Sequence, residues 1–148
     1  MREIAEQLAG IVERGARALR ETSDQDACAP ALPGGWSRKQ VMGHLIDSAS
    51  NNHQRWVRAA LAGGVVWPDY DQNGCVRIEA FHEASWPMLV EVWEAVNRLL
   101  VHVLGHLPAE AASAPCRIGN HEAIPLDQLA RDYVRHMLHH LDQIGVQR

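Results

Sequence analysis

Four stretches of the chain carry apolar residues at helical spacing, and segments rich in Pro and Gly separate them. This pattern narrows the choice of fold more than any other feature. The first stretch runs from about Glu3 to Arg20. Ile4, Leu8, Ile11, Gly15 and Leu19 form one small-or-apolar row, and Thr22-Ser23-Asp24 ends it. A loop with Pro30, Pro33, Gly34 and Gly35 follows. The second stretch has the clearest start. Ser37-Arg38-Lys39-Gln40 has the spacing of a capping box, in which the Ser hydroxyl accepts from a first-turn N–H and Gln40 reaches back. Trp36 is placed to pack on Val41 as a hydrophobic staple. The helix is predicted to reach about Ala62, where Gly63-Gly64 breaks it.

Residues 63 to 78 are expected to form a long loop. The third stretch spans roughly Glu79 to His106, and Pro87 interrupts it, so the helix proper starts near there. Leu89, Val92, Val96, Leu99 and Val103 are its expected core face. A second long loop covers Pro108 to Pro125, with Gly119-Asn120 as a turn and room for a short hairpin. The fourth helix runs from about Leu126 to Ile144, with Gly145 as its end signal. Four amphipathic helices in 148 residues predict one all-α domain over residues 1–148, a four-helix bundle. The two long connections, of about fifteen residues each, leave room for crossovers.

Bulk properties remove several function classes. Hydrophobic residues make up 47% and charged residues 22%, which excludes disorder as the main state. The formal net charge is -4, and no basic run exceeds two residues. Nucleic acid and anionic membrane surfaces are therefore poor partners. No apolar run approaches the roughly 18 residues of a membrane span. The N-terminus carries acids where a signal peptide has its apolar core. The expectation is a soluble, cytoplasmic protein. Cys28, Cys75 and Cys116 lie far apart with no Cys-x-x-Cys pair, so free thiols are expected.

Nine histidines stand against fourteen Lys and Arg. On the fourth helix His136 and His140 lie one turn apart on one face, at the edge of the buried stripe. On the second helix Val41, Leu45, Ala49, Trp56 and Ala60 form the apolar stripe. Beside it runs a polar row of Ser37, His44, Ser48, Asn51 and Arg55. Joining these edges brings three imidazoles around one point. Three protein ligands leave positions open for water or substrate, as in catalytic zinc sites. A second His-x-x-x-His, His102 and His106, is read as a surface or packed pair without a metal.

Gly34-Gly35-Trp36-Ser37, then Val41-Met42-Gly43-His44-Leu45-Ile46-Asp47-Ser48, then His136-x-x-His139-His140-Leu141-Asp142-Gln143-Ile144 together resemble the DinB/YfiT-like family. The resemblance extends through Tyr70-Asp71-Gln72-Asn73 and Ile124-Pro125-Leu126. It implies a four-helix bundle in which His44, His136 and His140 bind one divalent metal ion. It also implies metal-dependent S-transfer with a low-molecular-weight thiol such as bacillithiol or mycothiol, although many members of the family have no assigned activity. Zinc and nickel both suit imidazole. A metal-bound hydroxide would make a hydrolase instead, and a non-catalytic module that binds a metal or small ligand is a further alternative. A small-molecule substrate and a homodimer follow by the same analogy.

Around the triad, Asp47 is placed either to accept a ring N–H from His44 or to stand solvated on the surface. Gln143 and Asp132 stand in similar relation to His140 and His136, against the simpler reading of polar-face residues. Ser48 and Asn51 are candidates to bind water or substrate. Arg55 is a candidate for an anionic substrate group or for pairing with an acid, and Tyr133 for donation to a bound anion, with core packing as its favoured reading. His53, His82, His121 and His139 are read as surface residues. Trp36, Trp56, Trp67, Trp86 and Trp93 are read as core and loop anchors.

Overall fold

The computed structural model describes residues 1–31 and 33–146. Helix α1 (Arg2–Arg20) buries Ile4, Leu8, Ile11, Gly15 and Leu19, the row expected from the spacing. A single turn, α2 (Asp24–Ala27), follows. Helix α3 (Arg38–Ala62) starts on the anticipated capping box, with the Ser37 hydroxyl accepting from the Gln40 N–H at 3.3 Å. The Ser37 N–H in turn donates to the Gln40 side chain at 2.9 Å. Gly63 ends α3 in the left-handed region, at φ 70°, where a glycine is favoured. Trp36 enters beside this start and tilts against His44, ring centroids 5.3 Å apart.

Residues 63 to 78 are not a plain loop. They hold a short strand, β1 (Val65–Trp67), and a helix, α4 (Gln72–Ile78), which Asp71 caps by accepting from the Gly74 N–H at 3.0 Å. Asn73-Gly74 reads as turn chemistry, but the Asp71 cap recruits it into a helix. A 3₁₀ turn at Phe81–Glu83 leads to α5 (Trp86–His106), with Pro87 inside its first turn as anticipated.

The second long connection forms the hairpin, β2 (Pro115–Ile118) against β3 (Ile124–Pro125), and β1 joins it in parallel through Val65↔Cys116. Helix α6 (Leu126–Gln143) closes the fold. Cys28, Cys75 and Cys116 are free. Among the described residues no helix is long and apolar enough to cross a membrane.

The four long helices pack in a ring in the order α1, α5, α3, α6. The links from α1 to α3 and from α5 to α6 therefore cross the bundle, whereas the link carrying β1 and α4 joins neighbours. The core face of α5 differs from the expected one. Val92 is 40% and Leu99 48% exposed, while Val90, Trp93, Asn97, Leu100 and Leu104 are buried with Leu89. The helix is apolar nearly all round, so spacing alone left two adjacent rows open. Packing chose the row containing Trp93, whose ring occupies the space that Gly15 of α1 leaves open.

Two polar anchors fix the bundle from inside. The Trp86 indole N–H donates to the Leu19 carbonyl at 2.9 Å, tying the start of α5 to the end of α1. Across the bundle, the Tyr133 hydroxyl donates to Asn97 Oδ1 at 2.5 Å, and Asn97 Nδ2 donates to the Trp93 carbonyl at 2.8 Å. A satisfied buried network of this kind specifies which helices meet.

Candidate metal centre

The capped start of α3 sets the position of His44, two turns into the helix and 1% exposed. On α6, one helical turn separates His136 from His140. The two helices are packed neighbours, and they bring the three rings together. Ring centroids lie 5.0 Å apart for His44–His136, 4.9 Å for His44–His140 and 4.6 Å for His136–His140. One nitrogen of each ring lies within 4.8 Å of the other two. Among the described residues no other group of three His, Cys, Asp or Glu side chains converges in this way.

The electrostatics suit ligation. Burial pushes His44 down to about 3, and the charges of His136 and His140 add to the effect. Burial likewise pushes His136 down to about 4, helped by His140 and His139. Burial lowers His140 as well, although its bond to Gln143 opposes the shift. All three rings are thus neutral at neutral pH, each with one lone pair to offer. Nε2 of His44 and Nε2 of His136 face each other at 3.0 Å. Nδ1 of His140 lies 2.8 Å from Gln143 Oε1, which can only accept, so the ring donates there and leaves Nε2 free. The donor set fits an imidazole-binding divalent ion such as zinc or nickel.

The surroundings correct several expectations. Asp47 does not serve His44, whose Nδ1 is buried without a partner. The Asp47 carboxyl instead faces Glu79, just past α4. Asp132 pairs with Arg135 at 2.7 Å, and His136 Nδ1 is buried without a partner. Gln143 does orient His140, the role that the simpler reading disfavoured. The Asn51 side chain donates back to the Asp47 carbonyl at 3.1 Å and stays out of the cavity. Asn52, one residue on, lines it. Tyr133 packs in the core, its favoured reading: the hydroxyl is committed to Asn97 and has no donor left for a bound anion, and the ring packs edge-on against Trp56 at 5.4 Å. His102 and His106 stack on the surface, as read, with His106 Nδ1 2.7 Å from the His102 carbonyl.

A cavity of about 310 Å³ adjoins His136. Ser48, Asn52 and Arg55 line it from α3, and Leu129, Asp132 and Tyr133 from α6. The connections contribute Asp69, Tyr70, Gln72, Ile118 and His121. Of these last five, only His121 was read individually, and as a surface residue. Loop length, and for Tyr70 and Gln72 the family resemblance of their segment, were the signals pointing there.

The Asp47–Glu79 pair makes a pH prediction. Burial, with the Glu79 carboxyl beside it, pushes Asp47 up to about 7 from 3.8. A folded value above the unfolded one means that the stability linked to Asp47 is present below the unfolded value and lost as pH rises through about 7. Asp47→Asn is therefore expected to raise the urea midpoint at about pH 8 and to change it little near pH 4. Equal shifts at both pH values would show that the carboxyl does not titrate in this window.

Comparison with known proteins adds to the geometry. A family model described as the DinB superfamily matches residues 7–144. The fold is similar to that of YfiT from Bacillus subtilis, described as a probable metal-dependent hydrolase with an unusual four-helix bundle topology. The TM-score is 0.81 at 21% identity, over 96% of this chain and 82% of that one. It is also similar to a mycothiol-dependent maleylpyruvate isomerase, with a TM-score of 0.80 at 15% identity, over 97% of this chain and 60% of that one. At these identities the likeness is one of fold. No curated protein sequence matches the chain significantly.

Proposed function

This chain belongs to the DinB superfamily, and from that premise we propose that it is a metal-dependent enzyme, with His44, His136 and His140 as the ligands of one divalent ion. One observation carries the reading: three neutral imidazoles converge, and one of them, His136, lines a cavity large enough for a small molecule. Bound there, zinc or nickel supplies Lewis acidity, which lowers the pKa of a water or thiol that it touches. The chain's own residues do the rest. Gln143 holds the His140 ring in one tautomer, and Trp36 closes one side of His44. Ser48 and Asn52 offer polar contacts on the α3 wall.

The reaction we favour is transfer of a low-molecular-weight thiol to an electrophilic substrate. Support comes from the mycothiol dependence of one protein of similar fold. Hydrolysis is the second reading, supported by YfiT, whose length this chain matches more fully. The test is a parallel assay of untagged, zinc- or nickel-loaded protein. Several thiols are offered to a test electrophile, and ester and amide substrates to water, with and without chelator. Chelator-sensitive consumption of one thiol is expected. Chelator-sensitive hydrolysis without thiol consumption would favour the second reading. Activity that survives metal removal would overturn both.

A further inference from the structure

Arg55 sits on α3, eleven residues beyond His44 and so about 16 Å further along the helix axis. It is 7% exposed and lines the same cavity as His136. Its Nε is buried without an acceptor. Among the described residues, no carboxylate forms an ion pair with the guanidinium. Neither acid in the cavity wall closes an ion pair on it, although the charge of Asp69 acts on it across a longer distance. Asp132 is held by Arg135 at 2.7 Å, and Asp69 Oδ1 accepts from the Tyr70 N–H at 2.9 Å. Nearby Arg58 shows how an arginine with a structural role is satisfied, lying 5.3 Å over the Trp67 ring. Arg55 has no such direct contact, only the more distant charge of Asp69. A desolvated cation that no carboxylate contacts directly is unfavourable unless a ligand supplies that contact.

We propose that Arg55 is a substrate-anchoring residue, binding the carboxylate of a small organic acid whose other end lies at the three histidines. Only the placement of that other end rests on the metal-centre reading; the anchoring stands without it. Side chains of a helix lean towards its N-terminus, so the guanidinium extends back towards the level of His136. Its planar fork matches a carboxylate with two parallel hydrogen bonds. Arg55 is the one Lys or Arg lining the cavity, and Asp69 and Asp132 stand in its walls. That balance suits a single negative charge and disfavours the dianionic phosphate group.

The experiment follows the Arg55 Nε–H resonance in ¹⁵N-labelled protein, assigned by its loss in Arg55→Lys. Acetate, succinate and inorganic phosphate are titrated into chelated and zinc-loaded samples, with neutral succinamide as control. The carboxylates are expected to move the resonance saturably, phosphate less, and succinamide not at all. Followed through the Asn52 backbone amide, carboxylate affinity should fall at least about tenfold in Arg55→Met and partly recover in Arg55→Lys. Arg55→Met should melt at or above the wild-type temperature, because a buried, unpaired charge has gone. No movement up to about 50 mM carboxylate would overturn the proposal, since binding weaker than that leaves the charge unpaired. So would a preference for phosphate, or a lower melting temperature in Arg55→Met that Arg55→Lys restores. If Arg55→Met fails to fold, the wild-type titration decides. Carboxylate binding by protein that takes up no metal would sink the metal reading alone, and metal uptake without carboxylate binding would sink this one alone.

Discussion

Replacing His136 with alanine is expected to take bound zinc from about one equivalent per chain to below about a tenth. The two remaining imidazoles come from different helices and retain no one-turn chelate. The ring that faces His44 Nε2 at 3.0 Å is also gone. Gln143→Leu is a milder test of the same centre. It keeps all three rings but removes the acceptor 2.8 Å from His140 Nδ1, and is expected to weaken zinc affinity about 10- to 100-fold. His102→Ala should change nothing, because that stacked pair lies exposed on α5. Elemental analysis of untagged, zinc-exposed protein reads all three variants. Wild-type zinc content in His136→Ala would remove His136 from the ligand set.

The largest effect on stability is expected at Trp93. The side chain is 0% exposed, and its ring fills the notch at Gly15 between α1 and α5. Trp93→Ala would leave a cavity that neither helix can close and is expected to cost about 3–5 kcal/mol. For a domain of this length that lowers the melting temperature by about 10 °C or more. Trp93→Phe should cost much less, since the indole N–H is buried without a partner and its loss carries no hydrogen-bond penalty. Leu99→Ala, on the half-exposed side of the same helix, should cost under about 1 kcal/mol. Thermal or urea unfolding of the three variants checks the series. A Leu99→Ala loss as large as that of Trp93→Ala would restore the α5 core face read from spacing.

Much of the fold was legible before any coordinates. The Ser37 capping box, the Gly63 stop, the α1 row and the Pro87 start all follow from interactions within one or two turns. So does the one-turn spacing of His136 and His140. The convergence of the three ligand candidates was legible in the same measure, as was the separation of the pair at His102 and His106. Its surroundings were less legible. Asp47 and Asn51 share the polar side of α3 with His44, yet Asp47 turns to Glu79 and Asn51 to the backbone. Gln143 and Asp132 stand in comparable sequence relation to α6 histidines, and only Gln143 bonds one, because Arg135 takes Asp132.

The sequence by itself determined the helices, their caps and the edge on which each histidine stands. These depend on backbone geometry and on neighbours within a turn, which periodicity records. Only the tertiary structure decided that α3 lies beside α6, that α5 turns its Trp93 face inward, and that Arg55 is enclosed without a direct ion pair. Those outcomes depend on which distant segments fill which space and which charges they bring. Such contacts join residues far apart in the chain, so no local pattern carries them.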